Sequence, residues 1–475
     1  MCGIFGIVQA DDVEANDALP ILAADGLIAL QHRGTESVGL VGSDGVDRQH
    51  LEIIKGHGLV RDLCVEENLN KLNGSRIIIG HNRYSTAGRK RPAINCVQPF
   101  VVYTAIGTVA IAHNGELVDA KKKRKEALHQ GVGLSTDTDS ELIAQMVAKA
   151  IALNYKCRND ENWGDISKEL AVTMSAINMS YSLLVMTYDR LYAIRDPYGN
   201  RPLCVGSIYD PAQSSTTPVA YCAASESCAL PGTAKLDKEV EPGEMVEISS
   251  EGIRSVFQMK PQTPQASCIF EYVYFARNDS IMEGQQIQTV RLKCGKILAI
   301  EAHVDADIVS NVPDSSTAAA IGYAAQSGVP YEPCFHRNSY VGRSFIQPSN
   351  VMRQSVIHKK FGVLRKNVEG QRIVLIDDSI VRGNTMKILV KMLLNAGAKE
   401  YPCFMGINIP TTEELMASTK SLDEITEHIG ATSVAYLSVE GLLRAVQSGI
   451  ERRVNFDVGH CTACLTGEYP VPIDF

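Results

Sequence analysis

The sequence has no long hydrophobic run and few aromatic residues. Its 475 residues include a single Trp, and aromatic residues make up only 6% of the chain. No stretch approaches the ~20 consecutive apolar residues that a membrane-spanning helix needs, and the N-terminus lacks the basic and apolar regions of a signal peptide. We therefore expect a cytoplasmic protein with no membrane partner.

Positive charge is also scarce. The formal net charge is −8, and the basic block Lys121 to Lys125 is typical of a solvated helix face, so we expect no nucleic-acid partner. The Walker spacing GxxxxGK[ST] is missing. Thirteen cysteines, an odd number, do not fit a secreted disulfide framework. Cys461 and Cys464 form a CxxC pair with no second CxxC, which disfavours a zinc ribbon.

The chain is too long for one hydrophobic core, so its length predicts two domains. We interpret Val256 to Ser267 as a connector and place the domains at residues 2–253 and 254–475. Cys268 to Ser280 is predicted to begin the second domain as an alternating aromatic strand. Ala306 to Tyr331 follows with a strand, a turn and an Ala-rich helix, and this alternation predicts a parallel sheet.

One stretch of the second domain, Val374 to Met386, predicts a phosphate site. A buried strand, Ile373 to Ile376, runs into two carboxylates and then a short turn before a predicted helix from Lys387 to Ala398. A helix N-terminus offers free N–H groups and a positive dipole end to a phosphate. Carboxylates at the mouth of such a loop suit sugar hydroxyls or Mg²⁺. The order therefore predicts a site for a phosphorylated sugar.

Cys2 follows the initiator Met directly. Removal of Met1 would place a thiol and a free α-amine on one residue, and the amine, with a pKa near ~8, can serve as the base for its own side chain. Position alone favours instead a buried Cys that begins the first strand.

Further motifs of the first half decide between these interpretations. The strings LQHRGTES (30–37), GHNRYSTAG (80–88), IAHNGEL (111–117) and STDTDSE (135–141), together with RDPYGNRPL, ASES and EPGE farther on, follow Cys2 in this order. The set resembles the class II glutamine amidotransferase domains of the N-terminal-nucleophile superfamily. The resemblance implies an α+β fold, an αββα sandwich. It also implies that Cys2 attacks the glutamine amide, that Asn114 and the Gly115 N–H form the oxyanion hole, and that Arg83 and Asp139 bind the glutamine carboxylate and ammonium groups.

Three residues of these motifs carry no predicted chemistry. Thr35 stands where those domains commonly have Gln, at a position without a catalytic role. His32 and His113 invite a Cys–His dyad, but we expect both to be structural because the α-amine already supplies a base.

The second half resembles the type I phosphoribosyltransferases, and the chain as a whole resembles the glutamine phosphoribosylpyrophosphate amidotransferases. This resemblance rests on Cys268 to Ser280, NSYVGRSFIQP (338–348), the stretch Val374 to Met386, YPCFMGINIP (401–410) and CTACLTGEYP (461–470), with Asn278 where the family usually has Pro. It implies an α/β fold with a parallel sheet and a site for phosphoribosyl pyrophosphate (PRPP). The residues assigned to this site are Ser315, Asp377 and Asp378 with Mg²⁺; Ser379, Arg382, Gly383, Asn384 and Thr385 on the 5′-phosphate; and Tyr340, Arg343 and Lys359 on a lid, 336–360.

Four cysteines match the ligand positions of a [4Fe-4S] cluster in one branch of that family: Cys268, Cys403, Cys461 and Cys464. Thiolate ligands in this number suit such a cluster, and the resemblance implies a structural rather than a redox role.

The implied activity is glutamine hydrolysis at Cys2 coupled to formation of 5-phosphoribosylamine from PRPP, the first committed step of purine nucleotide synthesis. Purine nucleotides are the expected feedback inhibitors, and a homodimer or homotetramer is the expected assembly. Two alternatives are weighed: a non-catalytic PRPP-binding regulator, which would have no use for the glutamine motifs, and a class II amidotransferase with another acceptor, which would not need the PRPP loop.

Overall fold

The computed structural model describes residues 2–11, 18–84, 94–154, 165–211, 217–341, 357–380, 383–399, 419–450 and 459–472, together with the backbone of 402–404. Within these residues, no helix combines the length and apolar character needed to cross a bilayer.

Strand β1 (Gly3–Gln9) lies inside the first of two large sheets because both of its faces are apolar. Phe5 and Ile7 pack against helix α1 (Ala18–Ala29), whereas Ile4 and Val8 point to the opposite face. Alternation with period 2 thus buries the strand on both sides. The antiparallel sheet also contains β2 (Ser37–Ser43), β3 (Glu52–His57), β4 (Ile77–Arg83), β9 (Cys204–Ile208), β10 (Ala220–Ala224) and β11 (Ala234–Glu239), in the order β11-β9-β10-β1-β4-β2-β3.

A second antiparallel sheet packs face to face on the first. Ile4 and Val8 of β1 share one apolar cluster with Ala110, Leu184 and Ala193 of this sheet, and helices cover its outer face. The result is an αββα sandwich, as predicted. The sheet has the order β13-β12-β8-β7-β6-β5, from β5 (Phe100–Thr104), β6 (Gly107–Gly115), β7 (Tyr181–Met186), β8 (Leu191–Arg195), β12 (Glu244–Ser249) and β13 (Gly252–Gln258). The remaining helices of this half are α2 (Val60–Leu63), α3 (Glu66–Leu69), α4 (Ala120–His129), α5 (Asp139–Asn154) and α6 (Ser167–Ala176), with 3₁₀ turns at Asn70–Leu72, Ile94–Cys96 and Ser227–Ala229.

The second half is built on a parallel sheet with helices on both faces, again as predicted. Its order is β17-β20-β21-β22, from β17 (Ile308–Asn311), β20 (Ile373–Ile376), β21 (Pro402–Phe404) and β22 (Ser433–Ala435). Two apolar clusters lie on the two faces of this sheet. The helices are α7 (Ile287–Glu301), α8 (Thr317–Ser327), α9 (Arg365–Val368), α10 (Asn384–Asn395), α11 (Leu422–Ile429), α12 (Val439–Gln447) and α13 (Ala463–Thr466). Short strand pairs are formed by β14 (Ser267–Cys268) with β23 (His460–Cys461), β15 (Ile281–Met282) with β16 (Gln285–Gln286), and β18 (Phe335–Arg337) with β19 (Phe361–Val363).

The predicted aromatic strand over Cys268 to Ser280 is wrong. Only Ser267 and Cys268 are extended, and Glu271–Phe275 forms a π-helical turn. A π turn brings residues five apart together, and the rings of Phe270 and Phe275 lie 5.4 Å apart. Alternation of aromatic residues in the sequence does not reveal this five-residue repeat.

Other predicted boundaries shift by a few residues. Helix α10 begins at Asn384 rather than Lys387 because Gly383, with φ +66°, caps it, and it ends at Asn395, shortly before Gly397 at φ +95°. Strand β13 continues to Gln258, so the connector begins later than predicted and the expected boundary between residues 253 and 254 lies inside a strand.

Candidate active sites

The first candidate site lies where three strands of the sandwich end. Gly3 pairs with Asn82, so continuing the antiparallel register by one residue sets Cys2 opposite Arg83, the last residue of β4. The Cys2 side chain is partly buried, and its carbonyl accepts a hydrogen bond from Arg33 Nε at 2.9 Å. Arg83 is itself held by the Cys96 carbonyl, 2.9 Å from Nη1. The predicted nucleophile and the predicted carboxylate-binding residue thus lie at the same end of two neighbouring strands of the first sheet.

Asn114 and Gly115 come from the facing sheet. They are the last two residues of β6, which packs against β1 and β4. The Asn114 side chain is fully buried, yet within the described part of the chain neither its amide nitrogen nor its amide oxygen has a hydrogen-bond partner. An unsatisfied buried group costs about 1–3 kcal/mol. A donor kept without a partner at this cost is what an oxyanion hole requires.

Gly115 has a backbone that favours glycine. Its φ is +151°, and a Cβ at this position would lie 2.1 Å from the carbonyl oxygen of Ser180. Ser180 exchanges two backbone hydrogen bonds with Glu116, at 2.9 and 3.0 Å, which fixes this close approach. The end of β6 is therefore held rigidly by the start of the neighbouring strand.

Asp139 begins helix α5 beside the same strand end. Its Oδ2 accepts the Leu117 N–H at 2.9 Å and lies 3.9 Å from His113 Nδ1. The Asp139 carboxylate therefore holds the turn after Gly115 while remaining partly exposed to a ligand.

The two histidines considered above for a Cys–His dyad, His32 and His113, have structural partners. His113 Nδ1 lies 3.0 Å from Ser140 Oγ. His32 lies 3.1 Å from the Ala29 carbonyl and 2.7 Å from Glu226 Oε1.

The second candidate site lies at the carboxyl edge of the parallel sheet. Strands β17 and β20 are neighbours, and Asn311 pairs with Ile376, so the loops that follow them meet. Asp377 is buried at the end of β20, and its Oδ1 accepts the Asp378 N–H at 2.9 Å. The hydroxyl of Ser315, from the loop after β17, donates to Asp378. Burial and the neighbouring charge of Asp378 raise the pKa of Asp377 well above its usual value.

The phosphate loop follows these carboxylates. Ser379 Oγ donates to Asp378 Oδ2 at 2.7 Å, and Gly383 caps helix α10 in a left-handed conformation. Asn384 and Thr385 supply the first turn of that helix, where N–H groups are free for an anion. Arg382 and Arg343 lie outside the described residues.

Two described residues of the expected lid are exposed and are not packed into this site. Tyr340 is 99% exposed, and Lys359 is also exposed. Its neighbour Lys360 lies near enough to Asp377 for its charge to lower the pKa of that carboxyl, partly opposing burial. Lys359 stays a predicted lid residue, and the sequence did not single out Lys360, because no pattern marks which of the two lysines faces the carboxylates.

Sequence reasoning also missed Arg291. This residue of α7 is buried, and it lines a cavity of about 30 Å³ together with Cys294, Ser315, Asp377 and Asp378. Burial lowers the Arg291 pKa, while the charge of Asp378 opposes this shift. A cavity of this size has room for about two water molecules. The only signal in the sequence would have been an arginine on the apolar face of a helix.

Three of the four expected cluster cysteines lie together. Cys268 and Cys461 are paired on the parallel strands β14 and β23, and Cys464 follows on α13. Burial first, and then the nearby Cys268 and Cys461 thiols, raise the pKa of Cys464 to about 12. Cys403 lies on β21, where only the backbone is described. No group of three or more His, Cys, Asp or Glu with metal-binding geometry is found among the residues that the structure describes.

The sandwich and the strand ends beside Cys2 define the first half as a glutamine amidotransferase of the N-terminal-nucleophile type. Residues 83–217 match the family model described as a glutamine amidotransferase domain. The chain is 47% identical to the amidophosphoribosyltransferase of Mus musculus. The aligned region covers 100% of this chain and 98% of the relative.

Two solved structures are similar over the whole chain. One is described as the allosteric regulatory enzyme of purine biosynthesis, with a TM-score of 0.84, 37% identity and coverage of 100% and 97% of the two chains. The other is the glutamine PRPP amidotransferase of Bacillus subtilis complexed with ADP and GMP, with a TM-score of 0.83, 37% identity and coverage of 100% and 98%. The chain belongs to the amidophosphoribosyltransferase family, and it is an enzyme.

Proposed function

We propose that this enzyme converts PRPP, glutamine and water into 5-phosphoribosylamine, pyrophosphate and glutamate, the first committed step of de novo purine nucleotide synthesis. The observation that carries the proposal is the buried Asn114 side-chain amide, which has no hydrogen-bond partner among the described residues and lies on β6, the strand that packs against β1 after Cys2. A non-catalytic PRPP-binding protein has no need of such a site. Family membership likewise does not favour an amidotransferase with another acceptor.

In the first half-reaction, the Cys2 thiol gives its proton to the α-amine exposed by removal of Met1, and the sulfur attacks the glutamine side-chain carbonyl. The carbonyl oxygen becomes negative and accepts hydrogen bonds from Asn114 Nδ2 and the Gly115 N–H. Ammonia leaves with the proton, and water then hydrolyses the thioester to glutamate. Arg83 and Asp139 hold the glutamine carboxylate and ammonium groups, which selects the amino acid over a simple amide.

In the second half-reaction, ammonia attacks C1 of PRPP and the C1–oxygen bond to pyrophosphate breaks. Ser315, Asp377 and Asp378 fit Mg²⁺, because hydroxyl and carboxylate oxygens are its preferred ligands, and Mg²⁺ when bound neutralises charge on the leaving pyrophosphate. Ser379, Arg382, Gly383, Asn384 and Thr385 bind the 5′-phosphate at the start of α10. Tyr340, Arg343 and Lys359 are proposed substrate contacts when the segment around them closes over PRPP.

A [4Fe-4S] cluster held by Cys268, Cys403, Cys461 and Cys464 would tie the C-terminal segment to the connector between the two halves. The convergence of three of these thiols supports it. Protein purified without oxygen is expected to be brown and to contain about four iron atoms per chain. Cys464→Ser should lose this iron, whereas Cys64→Ser, at a partly buried cysteine of the first half, should retain it. Iron-free protein with full activity would contradict the assignment.

We also propose how the enzyme is inhibited, how it assembles and where its domains divide. Purine nucleotides are the proposed inhibitors, since the Bacillus subtilis relative was solved with ADP and GMP. We further propose a homodimer or homotetramer, a cytoplasmic location, and a glutamine domain followed by a phosphoribosyltransferase domain, with the predicted division between residues 253 and 254 moved to the end of β13 at Gln258.

The test of the division of labour uses two variants and two nitrogen sources. Cys2→Ala should abolish pyrophosphate release with glutamine and preserve it with ammonia. Asp377→Ala should abolish it with both. Loss of ammonia-dependent synthesis in a folded Cys2→Ala enzyme, or normal synthesis by Asp377→Ala, would refute the corresponding assignment.

A further inference from the structure

A buried arginine connects the Cys2 peptide to the second half of the molecule. The Arg33 side chain is fully buried, and its Nε donates to the Cys2 carbonyl. Its two remaining nitrogens bind carboxylates from both halves: Nη1 contacts Glu226, and Nη1 and Nη2 donate to the two oxygens of Glu271 at 2.9 and 2.7 Å. This bidentate pair fixes the plane of the guanidinium. Glu271, in the second half of the chain, therefore sets the orientation of the Arg33 guanidinium, which holds the Cys2 carbonyl.

Glu271 contacts a second arginine as well. Arg201 Nη1 lies 3.7 Å from Glu271 Oε1, and Arg201 Nε donates to Ser180 Oγ at 3.1 Å. Ser180 is the residue whose carbonyl packs against Gly115. One carboxylate of the π turn thus reaches both sides of the glutamine site, the peptide of the nucleophile and the support of the oxyanion glycine.

The network is built from charged and largely buried side chains. Arg33 and Arg201 face Glu226 and Glu271, and the side chains of Arg33 and of both glutamates are fully buried. Burial lowers the Arg33 pKa, but Glu271 and Glu226 together raise it above its usual value, so the guanidinium stays charged. Loss of either carboxylate would leave buried positive charge without its partner. Such a group moves toward other acceptors rather than staying in place.

The next residue of the same turn, Tyr272, contacts a side chain near the second site. The carbonyl of Tyr272, next to Glu271, accepts a hydrogen bond from Arg291 Nε at 2.8 Å, and Arg291 lines the cavity beside Asp377 and Asp378. Hydrogen bonds thus link the Cys2 carbonyl, through Arg33 and the π turn, to Arg291, which lines the same cavity as Asp377 and Asp378.

We propose that Glu271 is a positioning residue for glutamine hydrolysis, which orients Cys2 through Arg33 and supports the oxyanion glycine through Arg201 and Ser180. This inference rests on the proposed function of Cys2, Asn114 and Gly115, and it assigns to the second half a part in the geometry of the first site. Glu271 itself touches no substrate.

Glu271→Gln tests the proposal in the full-length enzyme. It keeps the shape of the side chain and removes its charge. We expect kcat for glutamine hydrolysis to fall about tenfold or more, since small displacements of a nucleophile are costly, with little change in KM because Arg83 and Asp139 are untouched. Ammonia-dependent synthesis should be retained, and Glu271→Asp should recover part of the lost rate.

Glu247→Gln is the matched control. Glu247 is also a buried carboxylate with two arginine partners, Arg190 at 3.3 Å and Arg254 at 2.7 Å, but it lies on β12, away from the strand ends at Cys2. The same chemical change there should lower the thermal midpoint without a selective loss of glutamine hydrolysis. A folded Glu271→Gln enzyme with wild-type kcat for glutamine, or with equal losses in the glutamine and ammonia reactions, would overturn the proposal.

Arg201→Met provides a second test if Glu271→Gln does not fold, since Arg201 is partly exposed and its loss costs less stability. We expect a smaller selective fall in kcat for glutamine hydrolysis. An unchanged kcat would refute the proposed contribution of Arg201. Failure of the proposed function itself would be distinct, because the unaltered enzyme would then release no pyrophosphate from PRPP with either nitrogen source.

Discussion

The hydroxyl of Ser315 donates a hydrogen bond to the carboxylate of Asp378, although the two residues are 63 positions apart. The pair exists because β17 and β20 run parallel and in register, so that the loops after them emerge together. In open α/β sheets this edge is where ligands bind. This hydrogen bond fixes the orientation of the Asp378 carboxylate.

Ser315→Ala should weaken Mg²⁺ and PRPP binding without stopping glutamine hydrolysis. Loss of one hydrogen bond to a charged group is worth about 1.5–3 kcal/mol, so we expect KM for PRPP to rise by roughly tenfold or more at limiting Mg²⁺. Steady-state pyrophosphate release with ammonia measures this. Ser327→Ala, at the other end of α8, is the control, because its hydroxyl makes two long hydrogen bonds to neighbouring backbone groups, to the Ala324 carbonyl at 3.5 Å and from the Val329 N–H at 3.3 Å, and none to a charged group. Equal KM values in the two variants would contradict the role of Ser315.

Asn114→Ala should remove one of the two oxyanion donors. Single donors of this kind contribute about 10²–10³ in kcat, so glutamine hydrolysis should fall by that factor with little change in KM. Because the Asn114 side chain makes no hydrogen bond in the described part of the protein, its replacement should cost little stability. Glutamate release and the thermal midpoint measured together check both expectations. A large loss of stability with modest loss of rate would indicate a structural role instead.

The sequence identified most elements that depend on local patterns. Strand β20 was predicted with its observed bounds, because a short apolar run before two carboxylates leaves few alternatives. Gly383 was predicted to lie in the turn before this helix, and its left-handed conformation begins α10. Both predictions use information within a few neighbouring residues.

Features that depend on tertiary contacts were not predictable. The bond from Arg33 to Glu271 spans 238 positions, and no periodicity connects the two residues. The π turn at Glu271 is formed by a segment whose aromatic alternation resembles a strand. Likewise, Arg291 and Lys360 approach the carboxylates only through the packing of α7 and the start of β19.

Gly115→Ala should disrupt the predicted oxyanion hole for two reasons, the positive φ of this residue and a steric clash. A positive φ costs a non-glycine residue about 1–2 kcal/mol, but here the new Cβ also lies 2.1 Å from the Ser180 carbonyl oxygen. Gly131→Ala is a matched control, since Gly131 has φ +80° and nothing within 4 Å of its Cβ position. Chemical denaturation should show a larger loss for Gly115→Ala, accompanied by loss of glutamine hydrolysis. Similar effects of the two changes would argue against a steric constraint at Gly115.

His81 should make the stability of the protein depend on pH. It lies fully buried on β4, its Nε2 is 3.1 Å from the His113 carbonyl, and burial lowers its pKa to about 3. In the unfolded chain the pKa returns to about 6.5. Between these values the unfolded state binds the additional proton, so the stabilisation is complete above about pH 6.5 and is lost as pH falls, by about 1.4 kcal/mol per unit.

Lowering the pH from about 6.5 to about 5 should therefore cost about 2 kcal/mol through this one residue. His81→Gln keeps a donor toward the His113 carbonyl and removes the titration, so its unfolding free energy should fall less steeply over the same range. His129→Gln, on the exposed end of α4, should behave like the unaltered protein. Denaturation curves at several pH values compare the three proteins. Parallel curves for His81→Gln and the unaltered chain would show that the buried imidazole does not govern this acid sensitivity.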